Sequence, residues 1–306
     1  MKILVTGGAG FIGSHVVEAY LAAGHDVVVV DNLATGRRSN VPHGARLHEV
    51  DIHGREVETI FADFRPEIVN HLAAQASVKL STADPVFDLE VNGGGTARIA
   101  LLAASHGARK VIYSSTGGAL YGDPLNLPVD ESHPIQATSP YGVSKRVGEM
   151  YIEFVARTTG IDYTVLRYAN AYGPRQDPYG EAGVVAIFTG RMLTGQPCTI
   201  DGDGEQQKDY LYVADIARAN VLALDKASGV AMNIGTGRGT SVNQILRALQ
   251  AATGSTVLPE FGPPRPGDVR NIWLDSSRAR ELLGWEPQVA LEDGIRATVD
   301  WFRTQG

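Results

Sequence analysis

A chain of 306 residues, 43% hydrophobic and 20% charged, is long enough for one large or two modest domains around a sizeable core. Its net charge of −7 without a long basic run argues against a nucleic-acid surface, and its single cysteine, Cys198, excludes an internal disulfide and a multi-cysteine metal site. No apolar run reaches the roughly 18 residues of a membrane span, and the chain enters a strand directly from Met1, so no secretion signal and a cytoplasmic setting are expected.

The apolar run Ile3-Leu4-Val5 predicts a strand over Lys2–Thr6, followed by the turn Gly7-Gly8-Ala9-Gly10-Phe11-Ile12-Gly13 and a helix over Gly13–Ala23. Glycines between strand and helix let the backbone approach a pyrophosphate, and the helix N-terminus offers it unpaired N–H groups. A second strand, Asp26–Asp31, ends on an acid 18 residues after Gly13. A carboxylate there accepts the hydroxyls of an adenosine ribose and repels a 2′-phosphate. The glycine turn alone also fits an ordinary α/β domain. With its flanking strands and Asp31 it predicts a dinucleotide site that prefers NAD to NADP.

Further strands are expected at Arg46–Glu49, Ile68–Leu72, Lys110–Ser114 and Tyr163–Tyr168, and helices at Glu56–Phe64, Asp88–His106 and Pro140–Thr159. Strands alternating with helices predict an α/β fold with a Rossmann-type, doubly wound parallel sheet. Burial on both faces accounts for the unbroken run Val27–Val30. After Tyr168, loops at Ala171–Gly183, Gly202–Gln207 and Gly262–Gly267, with helices at Ser241–Thr253 and Ser276–Leu283, predict a smaller α/β lobe over a cleft. The expected division is a dinucleotide-binding domain over 1–170, with a returning segment near 209–232, and a substrate lobe mainly over 171–306.

Tyr141-Gly142-Val143-Ser144-Lys145 puts a phenol and an ammonium on one helix face. A surface tyrosine packed on a lysine stem has the same spacing. Ser114-Ser115-Thr116, however, ends a predicted strand upstream, at the edge where open α/β sheets place ligands. Hydroxyl, phenol and lysine beside a nicotinamide site make a proton-transfer set. An ammonium about 4 Å from a phenol stabilises the phenolate by about 4 kcal/mol at an effective dielectric near 20. That is roughly what a tyrosine base working near neutral pH requires.

With these residues the chain resembles the extended short-chain dehydrogenase/reductase family, and within it the nucleotide-sugar 4-epimerases of the UDP-glucose (UDP-galactose) 4-epimerase type. The likeness runs through Thr6–Gly13, Asp31-Asn32-Leu33, Asp51-Ile52, His71-Leu72-Ala73-Ala74, Val91-Asn92, Ser114-Ser115-Thr116, Tyr141–Lys145, Arg167–Gly173, Asp209–Tyr212, 265–268 and Leu283-Gly284-Trp285. The resemblance implies that Gly7, Gly10, Phe11, Ile12 and Gly13 meet the cofactor pyrophosphate, Asp31 and Asn32 the adenosine ribose, and Asp51 with Ile52 the adenine. It assigns Leu72, Ala73, Ala74, Asn92, Ser114 and Tyr168 to the rest of the cofactor. Tyr141 is then the base, Lys145 orients the nicotinamide ribose, and Thr116 bonds the sugar 4-oxygen. Asn170, Lys208, Arg265 and Asp268 are expected on the nucleotide sugar. The implied reaction is oxidation at C4 to a keto sugar that turns over in the pocket and is reduced on its other face, with NAD resident throughout and no metal. The family's usual homodimer would pair the helices carrying Leu89, Ile99, Leu101, Leu102, Met150, Tyr151 and Phe154.

The chain departs from that pattern in three places. Lys208 stands where Arg is usual and lacks its planar fork. The loop Thr116–Gly122 is glycine-richer, which is expected to widen the space near C6 of the sugar. Ala76 replaces a lysine of some relatives, with Lys79 nearby. The stretch Gly117–Tyr121 holds no carboxylate, which disfavours a 4,6-dehydratase or a glucuronate decarboxylase. Ile272, intermediate in bulk, leaves epimerases of UDP-glucuronate and of N-acetylated sugars open. The presence of Thr116, Tyr141 and Lys145 weighs against a non-catalytic NAD-sensing regulator. His71 and Cys198 read as structural, and Trp273, Trp285 and Trp301 as core anchors of the second lobe.

Overall fold

Alternate valines of Asp26–Asp31 enter different cores: Val27 and Val29 pack with Ile3, Val5, Val16 and Val17, whereas Val28 and Val30 pack with Leu4, Val57, Phe61 and Val111. A strand with no polar alternation is therefore one that apolar layers cover on both sides. The computed structural model describes residues 1–179, 183–264 and 269–305. In chain order it runs β1 (Lys2–Thr6), α1 (Phe11–Ala22), β2 (Asp26–Asp31), β3 (Arg46–Glu49), α2 (Glu56–Phe64), β4 (Ile68–His71), α3 (Val78–Ala83), α4 (Pro85–Leu89), a π-helical turn (Glu90–Gly94), α5 (Gly95–Ser105), β5 (Lys110–Thr116), α6 (Pro140–Thr159) and β6 (Asp162–Tyr168). It continues through β7 (Asn170–Tyr172), α7 (Val184–Leu193), β8 (Thr199–Asp201), β9 (Gln207–Lys208), β10 (Tyr210–Tyr212), α8 (Val213–Ala223), β11 (Val230–Ile234), β12 (Thr240–Ser241), α9 (Val242–Thr253), β13 (Glu260–Gly262), β14 (Asn271–Ile272), α10 (Ser277–Leu283) and α11 (Leu291–Arg303).

Seven strands form one parallel sheet in the order β11-β6-β5-β4-β1-β2-β3. The order reverses between β1 and β4, and their carboxyl ends mark the crevice where such sheets bind ligands. A separate core lies among the elements after β6, in which Phe188, Met192, Cys198, Ile200, Ile245, Leu249, Ile295 and Val299 meet. Cys198 behaves there as a small apolar residue, and burial pushes its thiol up to about 11.

Two expectations need correction. The helix expected over Asp88–His106 starts earlier, at Pro85, and carries a π-turn over Glu90–Gly94. Asp84 caps α4 by accepting from the Phe87 N–H at 3.0 Å, and the π-helical turn joins α4 to α5. A Cβ on Gly93 would press on Leu89 and Val147 at 3.0 Å, and one on Gly95 would lie 2.5 Å from Ile52 Cδ1, so neighbouring elements dictate the glycines at this turn. Trp285 does not anchor the second lobe. It is fully buried in the core on the sheet's α1/α8 side, donating from Nε1 to the Asp215 carbonyl at 2.9 Å, while Trp273 and Trp301 are only half-buried.

Candidate active site

A cleft of about 1700 Å3 opens along the carboxyl ends of β1, β2, β4, β5 and β6. Its floor at one end is the glycine turn, in which Gly7 takes φ +72°. A Cβ on Gly7 would sit 2.6 Å from the Ala73 nitrogen, and one on Gly13 would sit 2.1 Å from the Gly7 oxygen. Neither position admits a side chain. No side chain caps α1 at Gly10, so the N–H groups of its first turn remain available to an anion at the cleft. Asp31 is 8% exposed and holds the turn together, its two oxygens accepting from Ala9 N at 2.9 Å and Leu33 N at 2.8 Å. Each oxygen keeps a lone pair for a ribose hydroxyl. Asn32 donates to Asp51 at 2.7 Å, and both line the cleft beside Ile52. This cradle of glycines, open helix end and carboxylate fits the adenosine diphosphate half of NAD.

Leu72, Ala73 and Ala74 line the middle of the cleft. Beyond them the lining includes Ser114, Thr116, Tyr141, Lys145, Tyr168 and Asn170. Thr116 is the last residue of β5, which extends past Ser114 because it pairs with β6 as far as Tyr168. Tyr168 shares a hydrogen bond with Ser114 at 3.1 Å and accepts one from Asn220 at 2.8 Å. Ser139 caps α6 and Pro140 opens it, so Tyr141 lies in the first helical turn with Lys145 one turn on.

The electrostatics differ from the simple pairing of phenol and ammonium. Burial, and then the Asp88 carboxylate, push the Tyr141 phenol up to about 12. Burial pulls Lys145 down to about 8, opposed by the carboxylates of Glu149 and Asp88. The Lys145 ammonium instead stands 4.6 Å from the centre of the Tyr113 ring. A depressed tyrosine therefore requires additional positive charge at the cleft.

The model of the NAD dependent epimerase/dehydratase family matches residues 3–235. The chain belongs to that family. It is 46% identical to a UDP-glucose 4-epimerase of Mycolicibacterium smegmatis over all of this chain and 99% of that one. It superposes with a TM-score of 0.98 on a UDP-glucose 4-epimerase of Thermotoga maritima crystallised with UDP-glucose, at 52% identity over 100% of this chain and 99% of that one. The Thermus thermophilus UDP-glucose 4-epimerase, crystallised with NAD, matches with a TM-score of 0.93 at 46% identity over 99% of each chain.

Within this member of the epimerase/dehydratase family, several residues expected on the cofactor or the sugar have partners inside the protein. Asn92 does not line the cleft. It is 1% exposed, and its amide is spent on the Gln75 carbonyl at 2.9 Å, Ser144 Oγ at 3.0 Å and Asp88 at 3.1 Å, because the π-helical turn points it inward. Lys208 donates to the Val269 carbonyl and is absent from the lining. Arg265 and Asp268 fall outside the described residues. Gly117 adds no room for a sugar, since Leu274 Cδ1 would lie 2.4 Å from a Cβ there. Ala76 lines the cleft and Lys79 does not. Arg175 pairs with Glu18 at 2.7 Å and reaches Ser14 at 3.3 Å, which puts it at the glycine end of the cleft. The sequence reading missed two buried networks beneath the site. Asp88 accepts from Ser144 and from Gln75 at 2.7 Å. Glu149 accepts from Ser115 at 2.7 Å, from Arg146 at 2.8 Å and from the Arg167 fork at 2.8 and 2.9 Å.

Proposed function

We propose that the protein interconverts UDP-glucose and UDP-galactose by inverting C4 with NAD resident, and that Thr116, Tyr141 and Lys145 carry out the proton chemistry. The observation that supports this reading most is the opening of all three side chains into the cleft that begins at the glycine cradle, in a chain 52% identical to a UDP-glucose 4-epimerase. Gly7, Gly10, Phe11, Ile12 and Gly13 hold the cofactor pyrophosphate. Asp31, Asn32, Asp51 and Ile52 hold its adenosine, with Leu72, Ala73, Ala74, Ser114 and Tyr168 along its length. NAD, when bound, supplies the acceptor that takes and returns the C4 hydrogen and a positive ring charge that favours the Tyr141 phenolate. Tyr141 takes the proton of the 4-hydroxyl and later gives one back, Thr116 bonds the 4-oxygen, and Lys145 keeps a positive charge beside the developing phenolate. Asn170 holds the nucleotide sugar near its pyrophosphate, with Arg265 and Asp268 completing its grip from the second lobe.

In this reading residues 1–170 with the segment near 209–232 hold NAD, and 171–306 hold mainly the UDP-sugar. The protein works as a homodimer in the cytoplasm, in galactose metabolism. Exposed Leu89, Leu101, Val143, Met150, Tyr151 and Phe154 on the packed helices α4, α5 and α6 support the dimer. A patch of that kind marks an interaction surface. Purified protein given UDP-galactose should form UDP-glucose without added reductant, and should release NAD when denatured. Tyr141→Phe should keep NAD and lose at least about 100-fold in turnover. Full activity in that variant would refute Tyr141 as the base. Turnover of UDP-N-acetylgalactosamine or UDP-galacturonate in place of UDP-galactose would reassign the hexose.

A further inference from the structure

We infer that Tyr113 is the positioning residue for Lys145, its ring forming a cation–π seat that holds the ammonium at the cleft. The inference rests on the reading of Lys145 as a catalytic group. Tyr113 is fully buried in β5, immediately before Ser114. Lys145 Nζ lies 4.6 Å from its ring centroid, well within the range of such contacts. Lys145 is 3% exposed, and among the described residues its ammonium has no hydrogen bond or ion pair. The aromatic face is thus the protein group in direct contact with this desolvated cation, with the carboxylates of Glu149 and Asp88 acting on it from farther off.

The ring is itself clamped. Its hydroxyl donates to the Lys145 carbonyl at 3.4 Å. A Cβ on Gly148 would lie 2.2 Å from that hydroxyl, so α6 passes the ring only with glycine at this position. The His71 imidazole stacks on it with centroids 5.8 Å apart and 23° between planes. Burial keeps that imidazole neutral, pulling it down to about 3. Thr96 Oγ1 donates to the Asn92 carbonyl at 2.5 Å and so accepts from His71 Nε2 at 3.0 Å. Thr6 Oγ1 accepts from Ala73 N at 3.2 Å and donates to Nδ1 at 2.6 Å. Lys145 is therefore the one cation on this ring.

The other groups that face Lys145 are few. Glu149, one turn along α6, is neutralised by Arg167 of β6 and by Arg146. Asp88 of α4 is bonded to Ser144, Gln75 and Asn92. Tyr141 is a neutral phenol. Removing the aromatic face takes away support for the charged amine, so Lys145 should lose its proton at lower pH.

The test uses the NAD-bound protein, with kcat and KM for UDP-galactose measured across the neutral and alkaline range. In Tyr113→Phe, which keeps the aromatic face, the alkaline limb should not move. In Tyr113→Leu, kcat should fall about tenfold with KM nearly unchanged, and the alkaline limb should move down by about half to one pH unit. A fluorinated phenylalanine at 113 keeps the ring's volume but weakens its negative face, and should reproduce the shift of the limb relative to Tyr113→Phe. It also serves if Tyr113→Leu does not fold. Loss of turnover in Lys145→Ala together with an unmoved limb in the fluorinated variant would overturn the Tyr113 seat alone. Unchanged turnover in Lys145→Ala would overturn the catalytic reading and this inference with it.

Discussion

His71 is held as a neutral donor and acceptor between two threonines, and burial, with the Lys145 charge second, pulls it down to about 3. The unfolded chain takes up that proton near pH 6.5 and the folded chain only near pH 3, so native stability falls as the pH drops through this window. The loss is about 2 kcal/mol by pH 5. In urea titrations the stability advantage of wild type over His71→Gln should therefore shrink by about that amount between pH 7.5 and pH 5. A constant difference would show that His71 ionises in the folded state. At this scale the sequence was most informative where a residue acts through its own backbone neighbourhood. Asp31 is such a case, since the turn it closes spans Ala9 and Leu33. The hydrogen bonds of Asn92 to Gln75 and Ser144 were not legible in this way, because those partners come from other segments.

Among the elements, the glycine turn between β1 and α1 lines the cleft, and its tolerance for side chains can be measured. Gly13→Ala would bring a methyl to 2.1 Å from the Gly7 oxygen and 2.9 Å from the Gly8 Cα. Both are backbone atoms, so the turn must deform. Unfolding free energy should drop by about 1–3 kcal/mol and copurified NAD should be lost. Retention of both would mean that the turn is not a rigid cradle. Strands β1 and β2 lie where their apolar runs place them, and helices α2 and α6 end where a left-handed residue, Arg65 and Gly160, stops them. The π-helical turn after α4 was invisible to that approach. One extra residue per turn hardly disturbs the apolar spacing, and the close approach of Ile52, Leu89 and Val147 that makes glycines necessary there is tertiary.

For the whole molecule, the face of α4, α5 and α6 is the test of assembly. Ile99 on α5 is buried against the sheet, whereas Leu101 and Met150 are 51% and 54% exposed. Sedimentation should give a dimer for wild type and a monomer for a Met150→Glu, Phe154→Glu double variant. A wild-type monomer, or an unchanged dimer in the variant, would rule out this face. The C-terminal segment is likewise tied to α8 by contacts that no local pattern announces. Asp215, near the start of α8, accepts from the N–H groups of Gln288 and Val289 at 3.1 Å while its carbonyl receives Trp285.

By itself the sequence determined the parallel sheet, the glycine cradle with its acid, and the phenol and ammonium one helical turn apart. Each of these depends on spacing within a short stretch, where backbone geometry converts residue order directly into position. Only the tertiary structure decided the environment of those groups. It put Tyr113, 32 positions earlier in the chain, against Lys145, and Asp88 near Tyr141. It also tied the Asn92 amide to Gln75 and Ser144 and set Leu274 beside Gly117. Charge and packing depend on which elements meet, and residue spacing along one element carries no record of its neighbours.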